Sequence, residues 1–239
     1  MYKYLLFLIF TNVTTYSFSQ QLGSFIDPRD GKQYKTVKIG NQEWMAENLN
    51  TDEYNNGNKI PQAKTLEEMQ AFSKAKEAAW CYYNFKPKNE KLYGKMYNGY
   101  AVVNSNFIAP KGWHIPSLED FKILTDYLGG DNIAVIKLKS NKGWAKNKNG
   151  TNSTGFSALP GGETISDITI TNKPIPVKFE NVERISRFWS STTWQYEEKD
   201  ASEILHVLSF GLDENSILSL PLKMGLQKYN YTYIRCVKD

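Results

Sequence analysis

One short stretch constrains the fold of this chain more than any other. It is Gly112-Trp113-His114-Ile115-Pro116-Ser117-Leu118-Glu119-Asp120-Phe121, running on to Gly129-Gly130. Pro116 holds Ile115 in extended geometry. Ser117 is placed as a helix N-cap, and Asp120, three residues on, is a shorter relative of the Glu that completes a capping box. Leu118, Phe121, Leu124 and Leu128 recur at helical spacing with Tyr127 alongside, so the helix has one apolar stripe to bury. Gly129-Gly130 supplies the stop. The segments around this helix read mostly as strands and loops, so its stripe must pack on sheet.

Taken in order, residues 34–45 read as a hairpin. Val37 and Ile39 alternate with Thr36 and Lys38, Gly40-Asn41 is a two-residue turn of the type II′ kind, and Gln42-Glu43-Trp44-Met45 returns. Thr65-Leu66-Glu67-Glu68 opens a second helix, to about Ala78, that lies on the surface. Trp80-Cys81-Tyr82-Tyr83 is a short buried strand or extended run. Residues 94–103 are partly helical. Residues 131–140 read as a helical turn and then a short strand. Phe156-Ser157-Ala158-Leu159-Pro160-Gly161-Gly162 reads as a strand ended by a turn. Further strands are expected over 188–194, 203–212, 216–224 and 229–237. Helices in the first half, strands in the second and no regular βαβ alternation make this an α+β fold.

The first 19 residues are expected to be a cleavable signal peptide. Lys3 carries the charge, Leu5-Leu6-Phe7-Leu8-Ile9-Phe10 is the apolar run, and Ser17 and Ser19 place small residues before a cut at Gln20. The run is too short for a membrane span, and no second apolar stretch approaches that length. Residues 20–239 then form a single exported domain, secreted or held at the outer cell surface, with no transmembrane segment in the mature chain. The formal net charge of +4 comes from mixed Lys and Glu rather than a basic stripe, which argues against nucleic acid as a partner.

In an exported chain with two cysteines, Cys81 and Cys236 are expected to form a disulfide, the alternative being two buried, unpaired thiols. The least regular stretch, residues 140–155, is rich in Asn, Gly and Ser yet carries Trp144, and binding residues concentrate on such loops. Trp144, Asn149 and Asn152 are therefore candidate ligand-binding residues, with Trp194 and Tyr196 as a second aromatic pair. Core packing is the competing account of each aromatic. Asp213-Glu214-Asn215 sits at a turn and offers oxygen ligands for calcium, although turn chemistry explains the same triplet. No other cofactor is indicated. His114 and His206 are expected to be hydrogen-bonded framework residues, and two His at unrelated positions do not make a zinc site.

Several of these runs together resemble one family. Asp30-Gly31, Tyr34, Val37, Ile39-Gly40, Gln42 and Trp44-Met45-Ala46-Glu47-Asn48-Leu49 are similar to the opening of the Fibrobacter succinogenes major paralogous domain. Trp80-Cys81-Tyr82-Tyr83-Asn84, Tyr93-Gly94-Lys95-Met96-Tyr97-Asn98, Ala109-Pro110-Lys111, Phe156 to Gly162, Phe188-Trp189-Ser190-Ser191-Thr192 and Ile234-Arg235-Cys236-Val237-Lys238 continue the match. The resemblance implies an exported, surface-associated bacterial module whose ligand is not established. A more distant likeness, carried by Gly112-Trp113-His114-Ile115-Pro116, Gly161-Gly162 and the Arg-bearing terminal strand, is to the formylglycine-generating enzymes and their C-type-lectin-like relatives. It implies a two-helix α+β fold with long loops. Those enzymes hold copper on two nearby cysteines, and here Cys236 has no neighbouring Cys, which removes the reaction centre. The reading is of a non-catalytic recognition or adhesion module with a glycan or protein ligand. The alternatives are a structural cell-surface or matrix component and a degenerate relative of those enzymes.

Overall fold

The computed structural model describes residues 21–165, 178–193, 204–211 and 225–239. The N-terminal part contains β1 (Gln21–Ile26), β2 (Gln33–Ile39), β3 (Gln42–Met45) and α1 (Leu66–Ala75). Next come β4 (Trp80–Cys81), α2 (Glu90–Tyr93), β5 (Met96–Asn98), α3 (Gly99–Val102) and β6 (Trp113–His114). Two helices follow, α4 (Leu118–Tyr127) and α5 (Asp131–Leu138). The strands described after α5 are β7 (Gly161–Ile165), β8 (Lys178–Val182), β9 (Ser186–Thr193), β10 (Ile204–Phe210), β11 (Gly225–Gln227), β12 (Tyr231–Thr232) and β13 (Val237–Lys238). The paired strands are antiparallel, and the fold is α+β.

The largest sheet has the order β1-β2-β3-β13-β6. It joins strands from both ends of the chain, because Val237 pairs with Trp44 on one side and with His114 on the other. The other sheets are β11-β10-β9, β12-β5-β4 and the hairpin β7-β8. The β2–β3 hairpin closes as its sequence requires: Ile39 pairs with Gln42 across Gly40-Asn41, and Gly40 has φ +61°.

Helix α4 sits where the sheet delivers it. Ser117 Oγ accepts from the Asp120 amide at 3.1 Å, and Asp120 Oδ2 accepts from the Ser117 amide at 2.8 Å, a complete reciprocal capping box. Phe121, Leu124 and Leu128 are buried, while Tyr127 is half exposed. Phe121 stacks on Trp44 of β3 with ring centroids 5.7 Å apart. Gln42 Nε2 donates to Asp120 O at 3.1 Å. His114 bridges the tail to the cap, with Nδ1 2.8 Å from Asp239 Oδ1 and Nε2 3.3 Å from Asp120 Oδ2. α1 is capped by Thr65, whose Oγ1 accepts from the Glu68 amide at 3.2 Å.

Two expectations are corrected. Residues 131–138 form the whole of helix α5, not a turn and a strand, because Ala134, Val135 and Leu138 make one buried helical face. Phe156 to Pro160 is not a strand. Ala158 makes an isolated bridge to Lys139, and β7 begins only at Gly161. The expected strand over 216–224 lies outside the described residues.

Among the described residues the core forms two apolar clusters. One gathers Trp44, Phe121, Phe156, Phe188 and Tyr233. The other gathers Tyr34, Trp80, Tyr97, Trp113 and Trp189. Arg235 is fully buried, with its guanidinium stacked 4.6 Å from the Phe156 ring and 5.0 Å from the Phe188 ring. It donates to Asn48 Oδ1 and the Phe156 carbonyl, which satisfies a charge too costly to bury bare.

Candidate functional site

The loop over 140–155 is held down by its own polar groups. Trp144 is 4% exposed, and its indole N–H donates to Ser140 Oγ at 3.0 Å and Ala158 O at 3.3 Å. The Lys139 ammonium lies 3.8 Å from its ring centroid. Asn149 Oδ1 accepts from the Trp144 amide at 3.1 Å. Asn152 grips Ser157 twice, accepting from its amide at 2.8 Å and donating to its Oγ at 2.9 Å. These three candidates thus have internal partners that fix the loop to the core. Trp194, Tyr196, Asp213, Glu214 and Asn215 lie outside the described residues.

The disulfide expectation is corrected. Cys81 and Cys236 are both buried free thiols. Cys81, on β4, belongs to the cluster of Tyr231 and Tyr233, whereas Cys236, beside β13, belongs to the cluster of Tyr34 and Tyr97. Burial pushes both thiols up, Cys236 to about 12, so neither is a thiolate at neutral pH.

An open cavity of about 650 Å³ runs along α4. It lies between α4, the start of α5 and the strand pair β9–β10. Its floor is Leu118, Phe121 and Leu208. Its polar lining includes Ser117 and Thr192, the carboxylates of Glu119, Asp126 and Asp131, and Lys122, with the buried Thr125 below them. Lys122 is ion-paired with Asp126 one helical turn on. The wall is fixed by two hydrogen bonds: the Leu118 amide donates to Thr192 Oγ1 at 2.9 Å, and the Ser191 amide donates to Pro116 O at 2.8 Å. An apolar floor edged by hydroxyls and an excess of carboxylates suits a polyhydroxylated or cationic group and disfavours an anion. The sequence reading missed this groove. The polar face of α4 looks like any solvated face until β9 is set against it.

The sequence profile of the Fibrobacter succinogenes major domain matches residues 37–238. The chain belongs to that family. The match takes in β3 through β13, and so spans the groove and the shared sheet apart from β1 and the first half of β2. No curated protein and no solved structure matches this member of the Fibrobacter succinogenes major domain family. Among its described residues no group of three or more His, Cys, Asp or Glu is placed to hold a metal ion. No helix among them is long and apolar enough to cross a membrane.

Proposed function

We propose that this protein is an exported, non-catalytic recognition or adhesion module on a C-type-lectin-like plan, engaging a glycan or a surface protein through the groove beside α4. The observation that carries the reading is that groove: open, apolar-floored, rimmed by hydroxyls and carboxylates, and walled by elements that hydrogen bonds hold in place. The charged, apolar and small-residue pattern of residues 1–19 supports export. The isolation of Cys236 from any second thiol supports a non-catalytic role, because copper held for thiol oxidation needs paired thiolates.

The test is a glycan array together with a pull-down on surface proteins, using residues 20–239 and the groove double variant Glu119→Lys with Asp131→Lys. The wild type is expected to capture a ligand that the variant holds about tenfold more weakly or worse. The variant itself loses about 0.6–2 kcal/mol per reversed helix-end charge, the lost favourable interaction plus a like unfavourable one. Capture that survives a calcium chelator removes calcium from the account, and capture that depends on calcium points to Asp213, Glu214 and Asn215. N-terminal sequencing of the exported protein is expected to start at Gln20. Absence of any ligand would favour the structural surface component instead.

A further inference from the structure

Phe107 breaks two rules at once. Its side chain is 68% exposed. Its backbone has φ +55°, a left-handed conformation that is an outlier for a bulky residue. Neither burial nor backbone preference favours a Phe there, and such a combination persists only where the surroundings impose it.

Those surroundings are two loops joined to each other. In the first, Asn104 O accepts from the Phe107 amide at 3.1 Å, and Asn104 Oδ1 accepts from the Asn106 amide at 2.9 Å. The second runs through Asn55-Asn56-Gly57-Asn58. The Asn55 amide donates to Asn106 O at 3.2 Å and Phe107 O at 3.1 Å, and Asn55 Nδ2 donates to Ala109 O at 2.8 Å. Arg29 ties the base of both loops: its Nη1 donates to Glu53 O at 2.7 Å and to Ile108 O at 2.8 Å. Arg29 is in turn locked to the buried carboxylate of Asp27 at 2.6 Å. The loops are therefore preorganised, and a ligand meeting them has little order to impose.

The surface they present is an exposed aromatic ring beside amides. The side chains of Asn58 and Asn106 make no hydrogen bond among the described residues. Two cations at the base of the loops are already paired, Lys59 with Asp52 and Glu53 and Arg29 with Asp27, so neither is free to draw in a phosphate or an acidic chain. A neutral sugar fits this chemistry. The C–H face of a pyranose meets the negative face of an aromatic ring, and its hydroxyls exchange hydrogen bonds with amides that both donate and accept.

We propose that the Phe107 knuckle binds a neutral carbohydrate, at a site made of residues other than those of the α4 groove. The test is calorimetric titration of residues 20–239 with neutral oligosaccharides of glucose, mannose, galactose and N-acetylglucosamine. Phe107→Gly removes the ring and relieves the left-handed strain. It is expected to lose about tenfold or more in affinity while its melting temperature stays level or rises by about 2–4 °C. Phe107→Asn, which also tolerates this backbone, is expected to lose the sugar, and Phe107→Trp to keep it. No heat from any of these sugars, or equal affinity in wild type and Phe107→Gly, overturns the proposal. So does capture of a protein through Phe107 with the sugars inert. Glu119→Lys with Asp131→Lys is expected to keep the sugar. If that variant loses it and Phe107→Gly does not, the groove reading stands and this one falls.

Discussion

Lys139 holds an ammonium in the protein interior with backbone and an aromatic ring for company. Its Nζ donates to Gly211 O at 3.2 Å and stands over the Trp144 ring. Burial, with the positive charge of Lys148 adding to it, lowers its pKa from 10.5 to about 8. Between those values the unfolded chain binds more protons than the folded one, so stability rises with pH across that window and the charged form is what the fold resists. Lys139→Met is expected to be at least as stable as wild type at neutral pH and to lose a rise of upward of about 1 kcal/mol in urea unfolding between about pH 8 and 10. An unchanged rise in the variant would mean that Lys139 is solvated. The two cysteines carry a second residue-scale prediction. Native protein should react with a thiol reagent only as fast as it unfolds, and its intact mass should be that of two thiols. A mass lower by two hydrogens would restore the bridge. The lysine was not legible beforehand, since Lys139 reads as one more surface cation. The free thiols were legible only as an alternative, because an exported cysteine pair reads first as a disulfide until the strands place the two in separate clusters.

At the scale of elements, what the sequence shows best is what short-range spacing decides. Ser117 and Asp120 are three residues apart, and both halves of the capping box form between them. Gly40 stands at the position where a II′ turn needs positive φ. Burial alone would raise the Asp120 carboxyl, but hydrogen bonds from Ser117 and the charge of His114 outweigh it and hold the pKa below 3.8. This carboxylate therefore adds stability above that value and loses it as pH falls through the lowered folded pKa. Ser117→Ala is expected to cost about 1 kcal/mol at neutral pH. Asp120→Asn should flatten the acid limb of the stability curve, and an acid limb identical to wild type would contradict the box. Elements set by tertiary partners were harder to read. Ile133, Val135 and Ile136 suggest a strand, yet residues 131–138 are helical because Ala134, Val135 and Leu138 find the core at helical spacing. The run from Phe156 looks like a strand because it is apolar, but Arg235 and the Trp144 loop occupy its carbonyls at Phe156 and Ala158. The exposed ring of Phe107 could not be foreseen, since a Phe ordinarily counts as core.

At the scale of the molecule, the two chain ends make one sheet, and that joint fixes everything presented for binding. β13 supplies the neighbour of both β3 and β6, and β6 leads directly into the cap of α4 and so to the groove. The Phe107 knuckle is fixed from the other direction, through Arg29 in the turn between β1 and β2. The amides of Met45 and Leu49 donate to the carbonyls of Cys236 and Ile234 at 3.0 and 2.9 Å, so N-terminal protons report on C-terminal strand docking. The Trp189 amide reports on the same tail from β9, through Tyr233 O at 2.9 Å. Native-state hydrogen exchange at these three amides is the most direct test. The joint sheet requires Met45, Leu49 and Trp189 to exchange only by global unfolding, with one shared free energy and one shared denaturant dependence. Fast exchange of Met45 and Leu49 by local opening, while Trp189 stays protected, would show the tail detached from the N-terminal hairpin and would contradict the account.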